Sequence, residues 1–122
     1  MVKFSAIDWF DFQRILIGML FKDNSLLPEI DESLFFDSDF RVIYCATRDL
    51  IKKGKRATQK TVRAELESLG MPDDAREVPE AWFTVANKAF YIKQLTKRRD
   101  AKALQAKLQD ALRALERSGL AG

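Results

Sequence analysis

The stretch KAFYIKQLTKRRDAKALQAKLQDALRALER, from Lys88 to Arg117, decides the fold class because it contains neither Gly nor Pro and is dominated by strong helix formers. Its length predicts one long helix. Its second half places Ala101, Leu104, Leu108, Ala111 and Leu115 at alternating steps of three and four residues. That is a short heptad seam, narrower than the face a helix turns toward a globular core, and it suits pairing with one other helix. Docking of the same seam on its own domain is the alternative the pattern leaves open. The end, Ser118 to Gly122, is expected to fray.

Upstream of this element the chain reads as further helices. Phe12, Ile15, Leu16, Met19 and Leu20 fall at helical spacing in a first helix, roughly Asp8 to Phe21, whose wide apolar coverage implies burial on most sides. Gly18 in its middle costs about 1 kcal/mol against Ala and points to a close helix contact. Asp23-Asn24-Ser25 opens a short helix through Leu26, Leu27 and Ile30, with Pro28 in its first turn. Ser33-Leu34-Phe35-Phe36 forms an apolar plug, most simply a loop folded on the core. Asp37 or Ser38 then caps a helix buried through Phe40, Ile43, Tyr44, Thr47, Leu50 and Ile51, with Gly54 at its left-handed end. Thr58 caps a fourth helix carrying Val62, Leu66 and Leu69, stopped by Gly70 and Pro72. Met71 to Val78 is the most loop-like stretch. Pro79 is placed to begin another helical segment with Trp82, Phe83, Val85 and Ala86. Together these elements predict an all-α fold, a compact multi-helix bundle with a long C-terminal helix. Its globular part runs from about residue 8 to 87 and its long helix from about 88 to 117.

The chain has 122 residues, 47% hydrophobic and 32% charged, which is the balance of one globular domain that buries a core without staples. No repeat, linker or low-complexity tract divides it. The single cysteine, Cys45, forms no internal disulfide and reads as a small buried hydrophobe. The start, Met-Val-Lys-Phe-Ser-Ala-Ile-Asp, has no signal core, and no apolar run approaches the roughly 18 residues a membrane span needs. The expected location is the cytoplasm. Charge is split along the chain: Met1–Ile51 carries five basic and nine acidic residues, Lys52–Gly122 sixteen and nine. Such a split suits surfaces with different partners, or two copies meeting head to tail, although ordinary solvated helix faces give it too.

Catalytic chemistry is poorly provided for. The chain has no histidine and one cysteine, which removes the commonest general base and the ligand sets of zinc and iron–sulfur sites. No acidic cluster is arranged for magnesium, and no nucleophile elbow occurs. Gly54-Lys55-Arg56-Ala57-Thr58 lacks the upstream glycine, the preceding strand and the Lys-Ser/Thr pair of a phosphate-binding loop, so it reads as a helix end followed by a basic turn. No catalytic residue, metal or cofactor is expected. Basic residues gather at Lys52, Lys53, Lys55, Arg56 and Lys60, and again at Lys97, Arg98, Arg99 and Lys102. Either group suits phosphates, but neither has interleaved aromatic residues or a formed recognition helix beside it.

Taken in order, the pieces resemble the N-terminal domain of the DnaB-family replicative DNA helicases. Ile15-Leu16-Ile17-Gly18-Met19-Leu20-Phe21-Lys22-Asp23 is similar to the family's opening helix and acidic turn. Ser33 to Tyr44 is similar to its aromatic plug, Asp, and helix with Arg-apolar-Ile-aromatic. Gly54 and then Thr61-Val62-Arg63-Ala64-Glu65-Leu66 match its helix end and Glu-Leu helix. Tyr91-Ile92-Lys93-Gln94-Leu95 resembles the Tyr-centred start of its long hairpin helix. The likeness runs from about Phe12 to Leu115. Each motif is mostly apolar, so shared order and spacing carry the resemblance. Gly70 to Asn87 departs from the pattern, with Trp82-Phe83 and two prolines.

The resemblance implies a non-catalytic collar domain that packs against copies of itself and docks primase, a helicase loader or the replicative helicase. In the family a two-helix hairpin makes paired contacts within a ring. Here no second arm follows before Gly122, which shifts the expectation from a ring to a homodimer. No ATPase domain is present, so the sequence reads as a fragment of a helicase or as a free-standing relative, such as a phage or mobile-element factor. Self-association is assigned to Leu104, Leu108, Ala111 and Leu115, and partner contact to Tyr91, Lys97 and Arg98. The alternative is a small basic nucleic-acid-binding regulator acting through Lys97, Arg98 and Arg99.

Overall fold

The computed structural model describes residues 4–119; Met1–Lys3 and residues 120–122 lie outside the described residues, so of the end expected to fray, Ser118 to Gly122, only Ser118, which closes the last helix, and its cap Gly119 are described. Five α-helices follow one another: α1 (Ala6–Lys22), α2 (Ser38–Lys52), α3 (Gln59–Ser68), α4 (Pro72–Arg76) and α5 (Lys88–Ser118). Two 3-10 turns, Asn24–Glu29 and Glu32–Leu34, join α1 to α2, and no strand occurs among the described residues.

Helix α1 is the central element. Ser5 starts it through a capping box, its hydroxyl accepting from the Asp8 N–H at 3.3 Å while its own N–H donates to the Asp8 carboxylate at 2.8 Å. Asp8 therefore lies in the first turn, and the helix begins two residues before the start expected at Asp8. From Ile15 to Phe21 every residue is buried, which fits a helix apolar on all sides. The turns, α2, α3 and the first half of α5 surround it with Leu26, Phe35, Ile43, Val62, Leu66 and Leu95, all buried.

Polar side chains lock the connections. The Gln13 amide, buried at the plug, accepts from the Phe36 N–H at 2.7 Å and the Asp37 N–H at 3.2 Å. Its nitrogen donates to the Trp9 carbonyl and the Asp37 carboxylate, both at 3.0 Å. Asp37 is the N-cap of α2 but makes no side-chain cap bond; its carboxylate is held by Gln13 instead. Asn24 bridges to the loop after α2, accepting from the Ala57 N–H at 2.8 Å and donating to the Ala57 carbonyl at 3.0 Å. The Tyr44 hydroxyl donates to the Ile30 carbonyl at 2.9 Å. Gly54 ends α2 with φ +77°, as its placement in the sequence predicts.

Three expectations are corrected. The stretch expected as a loop contains α4, with Pro72 in the first position and Asp73 and Asp74 in the first turn, where acids favour the helix dipole. The helix expected from Pro79 does not form; residues 79–85 run as an irregular strap, with Pro79 itself buried. The strap crosses α1, and that tertiary contact overrides the local proline signal. Leu69 lies just past α3 and is 59% exposed, not part of the buried face. The plug also tightens into a 3-10 turn, with the Asp31 carboxylate accepting from the Ser33 N–H at 3.2 Å.

Candidate functional site

Helix α5 has two halves with opposite surroundings. Its first half is anchored. Phe90 and Tyr91 pack edge-on against Phe12, with ring centroids at 5.9 and 5.5 Å, and Leu95 is fully buried. The Lys88 ammonium meets the Glu29 carboxylate at 2.8 Å. The Arg98 guanidinium lies over the Trp9 ring at 5.6 Å and the Lys102 ammonium over Phe36 at 5.2 Å. Arg99 donates to the Ser33 hydroxyl at 2.9 Å and lies 3.6 Å from Asp31 and 3.0 Å from Asp100. Hydrogen bonds from Ser33, supported by the charge of Arg99, hold the Asp31 carboxyl below its ordinary range.

The second half is an arm. Every residue from Asp100 to Gly119 is exposed. Leu104, Leu108 and Leu112 are each 59% exposed and Leu115 is 45% exposed. Among the described residues the arm thus touches nothing else beyond its root, and the heptad seam does not dock on them. An isolated helix of this length is marginal in water. Here the anchored half supplies the nucleus, and Ala, Leu, Lys, Gln, Arg and Glu propagate it. The four seam residues, Leu104, Leu108, Ala111 and Leu115, share one face with Ala101 and Leu112 at 100° per residue. Leu112 belongs to that stripe and departs from the strict three-and-four alternation. Its signal in the sequence is the four-residue series Leu104, Leu108, Leu112.

The residues expected to touch partners separate. Tyr91 and Arg98, seven residues apart on one face, are both half-buried against α1 and hold the anchor. Lys97 alone of the three is exposed. Arg98 and Arg99 are engaged within the chain, which weakens the basic group assigned to nucleic acid. Arg56 likewise donates to the Phe21 and Lys22 carbonyls at 3.3 Å.

A second uncovered apolar feature lies along α2. A hollow of about 310 Å³ between α2 and α3 is lined by Val42, Ala46, Leu66, Leu69 and Met71, with Glu32, Arg41 and Asp49 at its rim. Cys45 also lines it, its thiol donating to the Glu32 carboxylate at 2.9 Å. Burial, aided by that carboxylate, pushes the thiol up to about 11, so it is no nucleophile at neutral pH. No group of three or more His, Cys, Asp or Glu residues that would hold a metal occurs among the described residues. No helix among them is long and apolar enough to cross a membrane.

No curated protein and no solved structure matches the chain. The family described as the DnaB-like helicase N terminal domain matches residues 10–97, from within α1 through α2, α3 and α4 to Lys97 in the first half of α5. That match spans well over half of the chain, which therefore belongs to the DnaB-like helicase N-terminal domain family and carries a domain associated with replicative helicases.

Proposed function

We propose that this chain is a non-catalytic protein–protein interaction domain of the DNA replication machinery, and that the α5 arm is its contact element. The arm associates with another copy through Leu104, Leu108, Ala111 and Leu115, and the domain docks primase, a helicase loader or the replicative helicase. One observation carries this reading: a helix rooted on the domain presents leucines that are 45–59% exposed and covered by nothing among the described residues. An uncovered stripe of that kind marks an interaction surface in a folded protein. Family membership supplies the setting.

Sedimentation velocity of the purified chain tests it, alongside a Leu104→Glu/Leu108→Glu variant. The wild type is expected to self-associate at micromolar concentration, and the variant to be monomeric with unchanged helix content. A wild type that stays monomeric at about 100 μM, and binds neither primase, loader nor helicase in pull-downs, overturns the proposal. Salt-sensitive DNA binding by that monomer would favour the nucleic-acid reading instead.

A further inference from the structure

The stripe on the α5 arm and the groove between α2 and α3 are both uncovered among the described residues. We propose that they cover each other between copies: the arm of one chain seats in the α2–α3 groove of a second. The inference rests on the self-association reading and names the surface that the stripe meets.

Width is the first argument. A two-stranded coiled coil buries a narrow seam of two positions in seven. With Leu112 beside Leu108, the stripe spans about 100° of the helix, the breadth of a helix that packs on a globular surface. Pairing stripe to stripe would leave Leu112 at the edge, partly in water. A groove walled by two helices covers the wider arc. Its apolar wall is Val42, Ala46, Leu66, Leu69 and Met71, and Leu69 and Met71 are 59% and 39% exposed, open to an incoming helix.

Charge is the second. The arm bears Lys102, Lys107, Arg113 and Arg117 against Asp100, Asp110 and Glu116, a net charge of +1. The groove rim bears Glu32 and Asp49 against Arg41, within the acidic half of the chain. Stripe-to-stripe pairing sets two arms of like net charge side by side, whereas arm-in-groove sets a net +1 arm against a net −1 rim. The charge split between the two halves of the sequence then has a use: each copy offers an arm and a groove of opposite sign.

A complementation experiment tests the contact. One variant, Leu69→Lys/Met71→Lys, keeps the arm and spoils the groove at two exposed positions; the other, Leu104→Glu/Leu108→Glu, spoils the arm. Circular dichroism melts confirm that both fold. Each alone is expected to weaken self-association by about 30-fold or more, as loss of anchor residues does. An equimolar mixture is expected to regain a one-to-one complex near wild-type affinity, because one intact arm meets one intact groove. With the arm variant isotopically labelled, amide shifts on mixing should fall on α2 and α3. If the groove variant alone associates as the wild type does, the stripe pairs with itself and this inference fails while the proposed function stands. If the mixture stays monomeric although the wild type associates, the inference also fails. A wild type that does not associate at all removes this inference together with the self-association reading it rests on.

Discussion

The Trp82 backbone N–H donates to the Gly18 carbonyl at 2.8 Å, tying the strap to the middle of the central helix. This approach is the reason α1 carries a glycine where helix propensity disfavours one. A Cβ at position 18 would lie 2.7 Å from the Glu80 carbonyl oxygen and 3.1 Å from the Trp82 nitrogen, both backbone atoms with little freedom to yield. Gly18→Ala gains about 1 kcal/mol in helix propensity and is expected to lose more through overpacking, costing about 1–3 kcal/mol. The net outcome is a lower Tm by thermal melt. A raised Tm would mean that the strap does not lie on α1.

Gln13 organises the join between α1 and α2, and its replacement by Leu tests the polar lock. Leu preserves bulk but leaves the Phe36 and Asp37 N–H groups without their acceptor. A loss of about 2–4 kcal/mol in urea unfolding is expected. A loss below about 0.5 kcal/mol, the size of an ordinary surface change, would show that water replaces the amide.

The two halves of α5 should answer differently to truncation. Leu95→Ala is expected to cost about 2–5 kcal/mol as a buried deletion, whereas Leu104→Ala or Leu108→Ala should change monomer stability by less than about 0.5 kcal/mol. Self-association adds a further mark. The wild-type Tm should rise with protein concentration, and the Leu104→Glu/Leu108→Glu Tm should not. Equal costs at positions 95 and 104 would contradict the division of the helix.

Cys45 should alkylate slowly. With its thiol held near 11 by burial and by Glu32, the thiolate fraction at pH 8 is about a hundredfold or more below that of a free cysteine. Iodoacetamide labelling of the folded protein, followed by mass spectrometry, should rise about tenfold per pH unit through pH 10. Glu32→Gln should accelerate it by removing the charge that opposes ionisation. Labelling at the rate of a free thiol would place Cys45 outside the groove wall.

Asp31 gives the acid limb its sign. Its carboxyl lies below the ordinary 3.8 in the folded chain, through Ser33 and then Arg99. The native state therefore holds fewer protons there than the unfolded chain. The contribution is present above the ordinary value and is lost as pH falls through the lowered one. Both partners are partly exposed, so the effect is small. Urea midpoints measured from pH 6 to 2 should fall less steeply in Asp31→Asn than in the wild type; identical slopes would remove the assignment.

Much of the fold is legible in the sequence because it rests on local signals. Thr58 caps α3, Gly54 ends α2, and the gap-free run after Asn87 becomes α5. The seam is legible for the same reason, since periodicity along one helix needs no knowledge of its neighbours. The strap is not. Pro79 looks like a helix start, yet residues 79–85 follow the surface of α1, an element far away in sequence. The groove is hidden by the same cause: Leu69 continues the spacing of Val62 and Leu66 and lines the same hollow as Leu66, and spacing along α3 does not tell that the hollow is open there. Arg98 misleads in the opposite sense, being a charge that reads as free surface but lies on the Trp9 ring.

The arm is a cantilever, and its root governs what its tip can do. Beyond Asp100 it extends about 27 Å at the helical rise, so a tilt of about 10° at the root moves the tip by about 5 Å, close to one helical turn. That displacement is sideways and grows along the arm, so Leu115 swings across a receiving surface while Leu104, close to the root, moves by only about 1 Å. The cations over Trp9 and Phe36 and the Arg99 clamp on Ser33 therefore aim the arm: they set how many of its leucines reach a receiving surface together.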